Sequence, residues 1–60
     1  MFRLIATVKR GTAANLPETW PSYPTLEAAR AAAASLNKHE RVARVMIVSA
    51  GVPPSFIEWT

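Results

Sequence analysis

Cysteine is absent from the chain and histidine occurs once, at His39. No disulfide framework can form, and the usual zinc sites, which draw on several Cys or His ligands, are excluded. Glycine is nearly as scarce, with Gly11 and Gly51 alone. That is too few for a loop whose backbone N–H groups cradle a phosphate. No apolar run approaches the roughly 20 residues of a membrane-spanning helix. The opening stretch Met1 to Val8 is interrupted at Thr7 and stopped by Lys9-Arg10. It lacks the long apolar region and small-residue cleavage site of a signal peptide. The absence of cysteine fits a reducing compartment, and a cytoplasmic location is expected.

Carboxylates are also few. Glu18, Glu27, Glu40 and Glu58 are spread along the chain with no motif joining them, and Ser22, Ser35, Ser49 and Ser55 have no triad-like neighbours. Acid–base and nucleophilic catalysis need groups set in pairs. The expectation is therefore a protein that is not an enzyme, with no catalytic residues, no cofactor and no metal. His39 reads as an exposed residue at a helix end rather than a general base.

What is present fits one domain spanning residues 1–60. A domain of this size buries only about 60% of its unfolded surface, so its stability margin is thin. Half the residues are hydrophobic, but eleven of those thirty are alanine, which leaves nineteen larger apolar side chains for a core. Without disulfides or zinc, stability must come from packing and from a partner subunit. The net charge of +3 is modest, and Lys9-Arg10 is the only adjacent basic pair. Such a balance permits contact with nucleic acid or an acidic partner without requiring either.

Phe2, Leu4, Ala6 and Val8 alternate with Arg3, Ile5, Thr7 and Lys9. The period of two predicts a strand with a buried even face, ended by Gly11. Residues 10–24 carry no period and hold Pro17, Pro21 and Pro24. They form a long connection, which Leu16, Trp20 and Tyr23 could pin over one end of the core, with room for a short edge strand at Thr19 to Tyr23. Thr25 is a good N-cap, with Glu27 in the favourable first turn. Leu26 to Leu36, with six alanines, has very high helix propensity. Leu26, Ala29, Ala33 and Leu36 make its inward stripe, and small side chains there let the helix lie close on a sheet. Asn37 is the expected left-handed C-cap, followed by Lys38 and His39. Residues 42–49 are rich in β-branched side chains and predict a second strand. With Arg44 in solvent, Ala43, Val45 and Ile47 turn inward and Val42, Met46 and Val48 turn outward. After a turn at Ala50 to Pro54, Phe56 to Trp59 predict a short last strand. If Glu58 faces water, Ile57 and Trp59 face the core.

The pattern predicts a small two-layer α+β domain, strand–helix–strand–strand, with one helix packed on a three-stranded sheet. The last two strands form an antiparallel hairpin. The first and second are expected to run parallel; either the third strand lies between the other two or the second is central, and the second, the longest and most apolar, is favoured for the centre, with a right-handed crossover. One helix shields one face, which leaves Ile5, Met46, Val48 and Phe56 on the other. Contiguous exposed apolar surface marks an interaction site. The leading expectation is a protein-interaction or assembly module that homodimerises through the helix-free sheet face. The alternative is a nucleic-acid-binding module using Arg3, Lys9, Arg41 and Arg44, with Phe56 as a stacking platform. The segment Val52 to Phe56 could present a proline-rich ligand, but two prolines more simply stiffen a hairpin loop. Residues Pro24 to Arg30, Arg41 to Val48 and Pro53 to Trp59 resemble segments of small bacterial proteins to which no activity attaches. The resemblance implies no functional residues.

Overall fold

The computed structural model describes all residues from 1 to 60. Three strands, β1 (Phe2–Val8), β2 (Val42–Ser49) and β3 (Ser55–Trp59), and one helix, α1 (Leu26–Asn37), follow in the order β1, α1, β2, β3. The result is a small α+β domain with a three-stranded sheet, β2 in the centre, and both strand pairs antiparallel.

The antiparallel pairing of β1 with β2 corrects the parallel arrangement expected from the sequence. The reason lies in the connection before the helix. Residues 9–25 travel back along β1 before α1 begins. At the end of that path Tyr23 bridges Phe2, with the Phe2 amide donating to the Tyr23 carbonyl at 2.8 Å and the Tyr23 amide to the Phe2 carbonyl at 2.7 Å. The helix thus starts beside the first residue of β1. Its twelve residues rise about 18 Å and return the chain to the far end. There the Lys9 amide donates to the Arg41 carbonyl at 2.7 Å, and β2 heads back. Three reversals separate the two strands rather than two. The short edge strand expected at Thr19 to Tyr23 reduces to this single bridge, because Ala13–Asn15 and Pro17–Thr19 form 3-10 turns instead.

Leu4, Leu16, Ala29, Ala33, Leu36, Val42, Val45 and Ile47 form one buried cluster. The alanines at 29 and 33 carry no exposure at all, so the helix backbone lies close against β2 and β1. Two irregularities alter which residues point at this cluster. Thr7 pairs with Arg44 but Val8 with Val42, so Ala43 has no partner on β1. Ile47 pairs with Glu58 but Val48 with Phe56, so Ile57 has none on β2. Each extra residue flips the alternation beyond it. Val42 is therefore buried and Ala43 exposed, the reverse of the sequence expectation. On β3, Glu58 falls on the helix side opposite Ile47, and Trp59 falls on the other side opposite Met46. Ile57 sits at the bulge and keeps 38% of its surface exposed.

The helix begins as its sequence suggests, with the Thr25 hydroxyl accepting from the Ala28 amide at 3.1 Å. Its end differs. Asn37 closes the last turn, Lys38 caps it in a right-handed conformation, and no non-glycine residue has positive φ. The Asn37 side-chain amide instead donates to the Thr60 hydroxyl at 3.0 Å, fixing the end of the chain.

Four side chains order residues 10–24. Leu16 is buried in the core, and the Tyr23 hydroxyl donates to the Glu18 carbonyl at 2.7 Å. Trp20 stays exposed but its indole N–H donates to the Ala14 carbonyl at 2.8 Å. From the other side Arg41 reaches in. Its guanidinium donates to the carbonyls of Arg10 (2.9 Å) and Thr12 (3.4 Å) and to Asn15 Oδ1 (2.7 Å). Gly11 makes room for it. Gly11 has φ +73°, and a Cβ there would lie 2.9 Å from Arg41 Nη1. Both facts favour glycine.

Nine of the sixty residues are buried, so each large one matters. Leu36→Ala is expected to lower stability by about 2–5 kcal/mol, comparable to the whole stability of a domain this small. A urea titration followed by circular dichroism should find that variant largely unfolded; a midpoint equal to wild type would contradict the core described here. Gly11→Ala should cost about 1 kcal/mol or more by the same measurement.

Candidate functional site

The register defines the sheet face away from α1 as three rows. Arg3, Val48 and Phe56 form the first, Ile5, Met46 and Trp59 the second, and Thr7 and Arg44 the third. All four sequence-derived interface candidates, Ile5, Met46, Val48 and Phe56, therefore lie together. Ile5 is 47% exposed, Phe56 55% and Trp59 47%. Val48 differs from the expectation of an exposed contact. It is buried outside the helix-side cluster, between its cross-strand neighbours Arg3 and Phe56. It forms the floor of the face rather than its contact surface.

Alternation along the strand places Trp59 in the core, and the bulge at Ile57 moves it to this face. Its ring lies 5.9 Å from that of Phe56, tilted by 53°. The Arg44 guanidinium lies over it, 4.1 Å from the ring centroid, a cation–π contact. The Ser55-to-Trp59 sequence contains no glycine to flag the bulge, so alternation alone could not have found Trp59.

Beside this cluster, a cleft of about 480 Å³ opens between β1, the end of β2 and the turn that follows it. Arg3, Ile5, Ser22, Val48, Val52 and Pro54 line it. Val52 at the tip of that turn is fully exposed. The walls are mainly apolar, with Arg3 as the one charged group.

The charges divide cleanly. Glu58 lies on the helix side, where Arg30 grips it through two hydrogen bonds, Nη2 to Oε1 at 2.8 Å and Nε to Oε2 at 3.2 Å. The three rows of the helix-free face hold Arg3 and Arg44 and no carboxylate. The basic residues named for nucleic-acid contact are less united than the sequence implied. Arg41 is committed to the loop carbonyls. Arg3 Nη2 donates to the Trp20 carbonyl at 3.2 Å. Lys9 stands exposed just past the end of β1. Only Arg3 and Arg44 share the face, and no continuous basic stripe runs across it.

No three His, Cys, Asp or Glu side chains come together as a metal site, and no helix is long and apolar enough to cross a membrane. Comparison with protein-family models, with curated proteins and with solved structures finds no match.

Three ionisable groups depart from their ordinary values, and one of them, Arg30, is raised by its hydrogen bond to Glu58 and by the attraction of that carboxylate. Hydrogen bonding to Arg30 holds the Glu58 carboxyl below the usual carboxylate range, against a smaller opposing effect of desolvation. Burial, reinforced by Glu18, pushes the Tyr23 phenol up. The signs predict opposite flanks in a pH–stability profile. The Glu58 contribution is present above the ordinary carboxylate pKa and fades as pH falls through the lower folded value. Being exposed, this pair contributes little. The Tyr23 contribution is present below about pH 10 and is lost as pH rises through the higher folded value. Thermal melts across pH should therefore give Tyr23→Phe a flatter alkaline flank and Glu58→Gln a flatter acid flank. Flanks unchanged in both variants would refute the assignment.

Proposed function

We propose that this chain is a two-layer interaction module, without catalytic activity of its own, that assembles as a homodimer through the helix-free sheet face. The observation that carries the reading is the apolar group Ile5, Met46, Phe56 and Trp59 over a Val48 floor, on the side away from the single helix. Isolated exposed apolar residues are ordinary on a protein surface, but contiguous ones mark contact sites. The composition agrees with an interface centre, where aromatics, Met and Arg are enriched and carboxylates depleted.

Area and stability support a second copy as the occupant. A standard interface takes about 800 Å² from each partner, roughly a fifth of the chain's 3844 Å². A monomer with nine buried residues has little core, and sheet-on-sheet packing would supply a second one.

A second reading, contact with single-stranded nucleic acid, draws support from one feature: every charged residue in the three rows is basic, beside two exposed aromatics. Against it, Arg44 already occupies one face of Trp59, where a base would stack.

Sedimentation equilibrium or light scattering tests the reading. Wild type should be dimeric at micromolar concentration. Met46→Asp, which sets a carboxylate in the centre of the face, should weaken association at least tenfold. Ala34→Lys, on the exposed side of α1, should leave it unchanged. A monomeric wild type at high concentration would overturn the proposal. Salt-sensitive retention of single-stranded DNA or RNA by that monomer would favour the second reading.

A further inference from the structure

We propose that the cleft between β1 and the turn after β2 binds a small monocarboxylate with an apolar body, its carboxylate on Arg3 and its body against Val48. Every wall belongs to one chain, so the inference stands apart from the homodimer reading. The cleft measures about 480 Å³, within the range of small-molecule sites, which combine apolar walls with a few placed polar groups. Here Ile5, Val48, Val52 and Pro54 supply the apolar surface, and Arg3 and Ser22 the polar groups. Val48 is the only buried residue outside the helix-side cluster.

The walls are set before any ligand arrives. On one side Ser22 is carried by the bridge between its neighbour Tyr23 and Phe2. On the other, the Ala50 amide donates to the Met1 carbonyl at 3.0 Å, which ties the start of the turn to the end of the chain beside β1. Pro53 and Pro54 then restrict the backbone of the turn. This turn holds Val52 fully exposed at the rim, an apolar side chain that a ligand in the cleft would cover.

Charge selects the occupant. Arg3 is the one charged residue of the lining, and no carboxylate is there to neutralise it. Its only bond within the chain runs from Nη2 to the Trp20 carbonyl at 3.2 Å. Most of the guanidinium fork is therefore free to donate, and a carboxylate matches it with two parallel bonds. One guanidinium balances one negative charge. A doubly charged phosphate monoester would hold excess charge against apolar walls, which is unfavourable. Arg44, the other cation of the helix-free face, lies over Trp59 and outside the cleft.

Sodium octanoate serves as the probe, with backbone amide chemical shifts followed by heteronuclear NMR. A ligand of about ten heavy atoms in an open cleft is expected to saturate in the millimolar range. The shifts should concentrate at Arg3 to Ile5, Val48 and Ala50 to Val52. Each added methylene from butanoate to octanoate should tighten binding about two- to fourfold. Octanamide and octyl phosphate should bind about tenfold more weakly or worse. Arg3→Gln removes the charge at an exposed position, and Val52→Asp sets a carboxylate at the exposed rim. Each should weaken octanoate binding about tenfold or more, whereas Arg44→Gln should bind as wild type does. The proposal is overturned if the shifts spread over the sheet face without saturating, if octanamide matches octanoate, or if Arg3→Gln binds as wild type does. A peptide with a free C-terminal leucine that binds where octanoate does not would assign the cleft to a chain end and overturn it equally. Sedimentation of the same samples reports on the homodimer separately, so either reading can fail without the other.

Discussion

A helix twelve residues long can shelter one side of a three-stranded sheet and no more. Its buried stripe is built of Ala29 and Ala33 with Leu36 at the end, so it lies low and draws Leu4, Val45 and Ile47 into a thin, dry core. The other constraints follow. The long connection closes the end of that core with Leu16, and the other side of the sheet is left without a helix. Such a domain remains stable only with close packing or with a partner.

The connection of residues 9–25 sets the topology as much as the helix does. Because it runs back along β1 and bridges Phe2 through Tyr23, the helix is launched from the near end and β2 must return antiparallel. Arg41 holds this arrangement from below by donating to three oxygens of residues 10–15. Gly11 gives it space. These contacts explain why a segment with three prolines and no periodicity is ordered. Its backbone groups are satisfied by a guanidinium, an indole and a phenol rather than by a ladder.

The arginines illustrate how one residue type is put to unlike uses. Arg30 ties the helix to the edge strand through Glu58. Arg41 organises a loop. Arg44 lies over the ring of Trp59, and Arg3 lines a cleft. Only the last two belong to the helix-free face, so the net charge of the chain says little about the charge of its candidate interface. Removing Glu58 to the far side leaves that interface cationic at its edges and apolar at its centre.

The amino-acid sequence alone determined the element order, the helix with its Thr25 cap, and an apolar helix-free side holding Ile5, Met46, Val48 and Phe56; it left two strand orders open, and the structure decides for the long apolar strand in the centre. These follow from local propensity and from periods of two and 3.6, which adjacent residues carry. Tertiary structure decided the strand direction, the inward turn of Val42, the crossing of Trp59 to the open face and of Glu58 to the helix side, and the withdrawal of Arg41 into a loop. Each depends on contacts between distant residues or on a single unpaired residue in a ladder. A bulge at Ala43 or Ile57 leaves no mark in composition, yet it reverses the face of every side chain beyond it. Alternation counts residues along one strand, whereas the face they occupy is set by their hydrogen-bonded partners on the next.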